Sequence, residues 1–313
     1  MDLEYMFSYF CNMDSMLKKA GRYVMIASIL VGYGFISNTQ AHPGGLNAEG
    51  CHNNRKTGEY HCHGESKRSP PKEALTPFDA PALAKPEIVR NDGDLLRLDY
   101  EGFTLWLDCS KRGLVKYRFN AQRDTGNAKR NNDFYLDPNV PPECQQKSTK
   151  AYGHGYDRGH SGPNANALDY SELAIKQTNY MTNILPQVSQ MNRGAMYFSE
   201  LLVECHRDLS ELLIIGGVIW GDNPNDDYFL ESHGVRTPDA FWKVVIRGTG
   251  EDERAIAWIF PNSAEATLKN ADKYLVSIDE IERITGERIP VADYAKHDKP
   301  AVSWAIPIGC NKS

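Results

Sequence analysis

Two histidines, an arginine and an aspartate fall between positions 154 and 160 of a glycine-rich run, Tyr152-Gly153-His154-Gly155-Tyr156-Asp157-Arg158-Gly159-His160. Imidazole is the side chain best placed to exchange a proton near neutral pH. Guanidinium presents a planar fork to phosphate. Glycine lets a ligand approach the backbone closely. The combination points to phosphate-ester chemistry. A second polar block follows: Asn179, Asn183, Gln187, Asn192 and Glu200.

The elements that must hold these blocks read as follows. Apolar residues alternate over 103–107 and 114–119, which predicts strands. Residues 120–150 are polar and contain Pro138, Pro141 and Pro142, which predicts a long loop. The short apolar segment 178–185 is expected to be a strand ending at Pro186. Met196, Leu201, Leu202 and Cys205 recur at helical spacing, so a helix is expected over 192–209. The apolar run 212–220 suits a buried strand, and 241–246 with 255–260 suit a hairpin. Ser277 and Glu280 form a capping box for a helix that stops at Gly286. The order is mixed α+β rather than regular βαβ.

The chain has 313 residues, 41% hydrophobic and 10% aromatic, enough for a substantial core and against global disorder. A net charge of -6 argues against coating nucleic acid by bulk electrostatics, though a local basic cleft remains compatible with it. Lys18, Lys19 and Arg22 precede the apolar run Tyr23 to Ile36, followed by Thr39-Gln40-Ala41. Residues 1–41 therefore read as a signal peptide region, with Met16 the natural start. The apolar run is short of the about 20 residues a membrane span needs. The expectation is bacterial export to the periplasm or medium, with no stable membrane association after cleavage. Export permits disulfides. Beyond Cys11 stand Cys51, Cys62, Cys109, Cys144, Cys205 and Cys310. The expected pairing is Cys51–Cys62 plus two bridges among the other four.

Residues 42–63 form a small cysteine–histidine module. It is either a second metal site, with Cys51, His52, His61, Cys62 and His63 as zinc ligands, or a disulfide-closed hairpin with solvated histidines. Residues 64–91, with Pro70, Pro71, Pro77, Pro81 and Pro86, read as an extended linker. The main domain is expected over 92–313.

Asp157-Arg158-Gly159-His160 resembles the DRGH signature of the DNA/RNA non-specific endonucleases, a group of ββα-metal (His-Me finger) nucleases. The block from Asn179 to Gln187, then Met191-Asn192-Arg193-Gly194 and Glu200, is similar to the family pattern in order and spacing. Later stretches near 238–245, 255–262 and 279–286 also fit. The resemblance implies an α+β, ββα-metal fold with a central, mainly antiparallel sheet flanked by helices. The DRGH turn and the Asn192 helix would form the motif. It implies a metal-dependent endonuclease that hydrolyses DNA and RNA with little sequence specificity, leaving 5′-phosphate ends. A homodimer is compatible with it.

Physical roles follow. A neutral imidazole can take the proton from water, so His160 is the candidate general base. Magnesium or manganese would stabilise the phosphorane and the leaving oxygen. The resemblance places the metal ligand on Asn192. Glu200, two helical turns on, would accept a hydrogen bond from a water on the metal. Arg158 is the candidate phosphate clamp. Asn183 and Arg118 are candidate substrate contacts, with polar loop packing an equal reading of Asn183 and Gln187, while His154 reads as structural. Some relatives carry an arginine one turn after the helical glutamate; here Glu204 stands there. Plainer roles compete: Asn192 as a mere N-cap, Glu200 as a solvated helix residue, Arg158 paired with Asp157. Two other functions compete as well. One is a degenerate nuclease fold that only binds nucleic acid or a partner. The other is metal capture through residues 42–63.

Overall fold

The computed structural model describes residues 95–310 except Asn223, together with the backbone of three short strands before them. The chain forms two units, residues 1–78 and 79–313. In the first, β1 (Cys51–Asn53) and β2 (Tyr60–Cys62) pair antiparallel, with Cys51 opposite Cys62 and His52 opposite His61. The expected signal segment, His63, and the side chains that would form the Cys51–Cys62 bridge or a zinc site lie outside the described residues.

The second unit begins with β3 (Glu87–Val89), β4 (Leu95–Tyr100), β5 (Phe103–Asp108) and β6 (Gly113–Ala121). Next come β7 (Tyr156–His160), α1 (Glu172–Thr178) and β8 (Ile184–Val188). The chain then winds through α2 (Ser189–Met191), a π-helical turn (Asn192–Met196) and α3 (Tyr197–Arg207). It closes with β9 (Leu212–Ile219), β10 (Ala240–Arg247), β11 (Arg254–Pro261), β12 (Leu275–Val276), α4 (Ile278–Thr285) and α5 (Asp293–Lys296).

Eight strands form one antiparallel sheet in the order β12-β11-β10-β9-β6-β5-β4-β3. Side-chain alternation decides what each face buries. In β5, Phe103, Leu105 and Leu107 face the main core, with Thr104, Trp106 and Asp108 on the other side. β9 and β10 are apolar on both faces. Ile214, Phe241 and Val245 join the main core beside Leu202 and Val203 of α3. Ile215, Val244 and Ile246 pack with Ile278 and Ile281 of α4 in a second cluster. That two-sided burial explains why the run 212–220 lacks alternation. Two bridges, Cys109–Cys144 and Cys205–Cys310, use the four remaining cysteines of this unit.

Several expectations need correction. β3 lies inside the stretch read as linker, and its Ile88 stands opposite Leu96. Pro86 comes just before this edge strand, where a missing N–H breaks no ladder bond. Residues 178–185 do not make one strand: α1 ends at Thr178 and β8 starts at Ile184. The DRGH residues form strand β7, not a turn, and β7 pairs with β8 so that His160 faces Ile184. The helix begins at Ser189, directly after β8, so Asn192 is not its N-cap; its backbone is already helical at φ -57° and ψ -49°. The π turn that follows coincides with an N–H drawn outside the helix, from Ala195 to the carbonyl of Ala266 at 3.1 Å.

Candidate active site

β7, the helix after β8, the loop carrying Arg130 and the stretch 164–169 enclose a cleft of about 700 Å³, lined among others by Arg158, His160, Asn192 and Glu200. Alternation along β7 sends Arg158 and His160 to one face. Gly159 lies between them because the Gln187 side chain occupies its other side. A β-carbon there would stand 2.2 Å from the Gln187 amide. Gln187 Nε2 in turn donates to the His160 carbonyl at 3.3 Å.

The His160 ring is held through one nitrogen. Asn179 Nδ2 donates to the carbonyl of Asn131 at 2.7 Å, which makes Oδ1 the free acceptor of that amide. Oδ1 lies 2.9 Å from His160 Nε2. The network therefore assigns the proton to Nε2 and leaves the Nδ1 lone pair as the basic position. Burial pushes the imidazole pKa down to about 4; the Asn179 bond opposes this and the charge of Arg130 adds to it. His160 is thus neutral at physiological pH.

Asn192 is oriented by the same logic. Its Nδ2 donates to Asp157 Oδ2 at 3.0 Å, which leaves its carbonyl Oδ1 as the donor for a cation. Asp157 also accepts from Ser189 Oγ at 2.9 Å and from Arg193 through both carboxylate oxygens, at 2.7 and 2.8 Å. Burial works to raise the Asp157 carboxyl, but the bonds from Arg193, Asn192 and Ser189 outweigh it and hold it below its usual range. Asp157 therefore pairs with Arg193, not with Arg158 as the plainer reading of the sequence had it.

Arg158 lies with its guanidinium 4.0 Å from the Phe134 ring centre and donates one bond, to the Thr149 carbonyl at 2.7 Å. Its other N–H groups have no partner among the described residues. Glu200 is partly buried in the cleft wall. Burial raises its carboxyl above the usual range, against the Lys243 ammonium, a hydrogen bond from Asn164 and the charge of Arg130. Lys243 lies under the cleft and donates to Ser199 Oγ at 2.9 Å. Burial lowers its pKa, while Glu200 opposes that.

The other predicted residues lie elsewhere. Asn183 is fully buried. It accepts from Gly162 N and donates to the carbonyls of Pro163 and Thr178, at 2.9 Å each. It ties the crossover between β7 and β8 to the backbone and does not line the cleft. Arg118 is exposed on β6 and lines a separate groove. His154 is outside the cleft, stacked on Tyr228 at 5.5 Å. Glu204 does line the cleft, paired at 2.9 Å with Arg207, so a buried arginine is supplied one turn later.

Sequence reasoning missed three residues. Arg130 comes from the long loop, lines the cleft, and acts on both His160 and Glu200. Nothing local marks it out. Asn179 belongs to the recognised block, but its bond to His160 is visible only in space. Lys243 had a signal: a single lysine inside the apolar strand from Phe241 to Ile246.

The chemistry of the donor set suits a hard divalent cation. Asn192 offers a carbonyl oxygen and Glu200 a carboxylate, without sulfur, and Arg130 and Arg158 line the same cleft. Among the described residues no group of three His, Cys, Asp or Glu side chains is placed to enclose a metal. A single direct protein ligand is compatible with magnesium, which retains several waters.

Two antiparallel strands running into a helix, on an antiparallel α+β scaffold, define a ββα-metal nuclease fold. The family model described as DNA/RNA non-specific endonuclease matches residues 84–297, and the chain belongs to that family. A nuclease from Nostoc sp. is 32% identical over 196 residues, covering 58% of this chain and 66% of its own length. The mitochondrial nuclease of Saccharomyces cerevisiae is 28% identical over 180 residues, covering 51% and 54%. Human mitochondrial endonuclease G is 26% identical over 201 residues, covering 59% and 66%. The chain thus spans between about half and two thirds of these relatives. The crystal structure of the EndoG/EndoGI complex matches with a TM-score of 0.50 at 21% identity, over 64% of this chain and 86% of that one. That match bears on the fold alone.

Proposed function

We propose that the protein is an exported, metal-dependent endonuclease that hydrolyses phosphodiester bonds of DNA and RNA with little sequence preference. The observation that carries this reading is the ring of His160, fixed through Nε2 by Asn179 with Nδ1 left basic and neutral in an arginine-lined cleft. His160 Nδ1 takes the proton from the attacking water. Arg158, braced on Phe134, and Arg130 hold the phosphate oxygens from the side of the base. Asn192 Oδ1 would hold the cation directly and Glu200 through water. When bound, a hard cation supplies charge neutralisation at the phosphate and eases departure of the 3′-oxygen. Low sequence preference fits a cleft whose contacts address the backbone rather than base edges. The two disulfides of the nuclease unit suit an oxidising compartment, periplasmic or extracellular.

Nicking of supercoiled plasmid with magnesium, comparing wild type and His160→Ala, tests the reading. The wild type should nick and the variant should lose at least about 10²-fold in rate. Equal activity in both would sink it. The amino-terminal residue of the exported product, expected near His42, tests the compartment.

A further inference from the structure

The face of β4, β5 and β6 that points away from the main core carries a pattern the cleft does not use. Its outward residues fall in cross-strand register: Arg97 opposite Trp106, Trp106 opposite Lys116, and Thr104 opposite Arg118. At the end of this face lies a groove of about 480 Å³, lined by Arg97, Trp106, Arg118, Gln122 and Tyr170 among others. Arg118 is exposed and has no ion pair or hydrogen bond among the described residues. Tyr170 is 46% exposed. Its hydroxyl lies across Gly102, where a β-carbon would collide at 2.0 Å, so the β4–β5 turn is cut back to seat the ring.

The groove and the catalytic cleft share a border. Gln122 lines the groove and Asp124 the cleft; Tyr170 lines the groove and Asp169 the cleft. The loop carrying Asp124 is tied to this border by a backbone bond from Ala128 N to the Asp169 carbonyl at 2.9 Å. Asp124 and Asp169 lie 3.5 and 3.7 Å from Arg207, whose single charge they share with Glu204.

We infer that this groove is a second nucleic-acid subsite, which holds an unpaired strand of substrate outside the scissile phosphate. Arg97 is paired with Asp99 at 3.0 Å and Lys116 with Glu287 at 2.8 Å, which leaves Arg118, among the described residues, as the cation on this face for a phosphate. Aromatic rings beside Arg118 suit single-stranded nucleic acid, because every base has a face to stack and every nucleotide a phosphate. A duplex keeps its bases stacked on each other and offers none to Tyr170. The inference rests on the nuclease reading for its biological sense, but its test does not depend on cleavage.

The test is fluorescence anisotropy of a labelled single-stranded 20-mer with the full chain in chelator, wild type against Arg118→Ala and Tyr170→Ala. Both positions are exposed, and thermal melting of each variant checks the fold. The expected result is about tenfold weaker binding for Tyr170→Ala. For Arg118→Ala, the slope of log affinity against log salt should fall by about 0.7, as for one lost phosphate contact. Affinity for a blunt duplex should stay unchanged. Wild-type affinity in either folded variant, equal losses on duplex and single strand, or no binding by the wild type would overturn the inference. Cleavage of a very short substrate that cannot reach the groove reports on the nuclease reading separately, and both variants should retain it.

Discussion

His160 Nε2 and Asn179 Oδ1 are 2.9 Å apart, and that contact decides which nitrogen of the ring can act as a base. Replacing Asn179 with Leu should free the tautomer and strand an N–H in a half-buried position. The expected outcome is a fall in kcat of about 10²-fold with little change in KM, read by single-turnover cleavage. His160→Ala in the same background should add little further loss, because the two residues act as one unit.

The pH dependence follows from the same ring. Its pKa is lowered from 6.5 to about 4, chiefly by burial. Activity requires the neutral form, so the acid limb of kcat/KM should have its midpoint near 4 rather than 6.5. Stability moves in the same direction. Between 6.5 and about 4 the unfolded chain binds the proton and the folded one does not. This contribution is fully present above 6.5 and is lost as pH falls to about 4, at most about 3 kcal/mol. Urea melts across that range, wild type against His160→Gln, check it.

Asp157 should set cation affinity without touching the cation. Asp157→Ala removes the acceptor that keeps Asn192 Oδ1 turned to the cleft. Magnesium titration of activity should show a rise of about 10- to 100-fold in half-saturating concentration, with kcat at saturating metal less affected. Asp157→Asn should recover part of the loss, since its amide oxygen still accepts from Asn192.

Arginine geometry should matter at position 158. Arg158→Lys keeps the charge but cannot both stack on Phe134 and donate a fork to phosphate. A drop in kcat/KM of about 10²-fold is expected in plasmid nicking. Arg130→Ala should lower kcat/KM as well, and raise the pKa of His160 by removing a nearby positive charge.

The C-terminal bridge should matter to stability more than to chemistry. Cys205 lies one turn and a residue past Glu200 on α3, and its bridge to Cys310 closes a separation of 105 residues. Cys310→Ser should cost about 2–5 kcal/mol by denaturant melting. Plasmid nicking at low temperature should be nearly unchanged.

What the sequence made legible was what local pattern encodes. The alternation of β5 and β6, the capping box at Ser277 and the apolar run of β9 each depend on neighbours in sequence, and each element is present. His160, Asn192 and Glu200 stand out in sequence by the order of their block, and the structure brings all three to one cleft. Arg130 does not stand out, because a polar loop has no period and the contact that pins its neighbour, Asn131 meeting Asn179, exists only in space. Asn183 stays ambiguous in sequence for a related reason. An amide near a site looks alike in sequence whether it faces solvent or, as here, spends every bond on the backbone.

The π-helical turn at Asn192–Met196 has a consequence for angular phase. Eight residues advance a regular α-helix by about 800°, which would leave Asn192 and Glu200 about 80° apart around the axis. One residue absorbed by the wider turn takes back about 100°, so the two side chains come within about 20° of each other. The alignment of the two oxygen donors therefore rests on the wide turn absorbing one residue. Deleting Ala195 would leave every functional side chain in the chain, make the helix more regular and keep the phase, since seven residues of regular helix also advance about 700°. Tightening the turn at full length would instead move Glu200 about 80° away from Asn192.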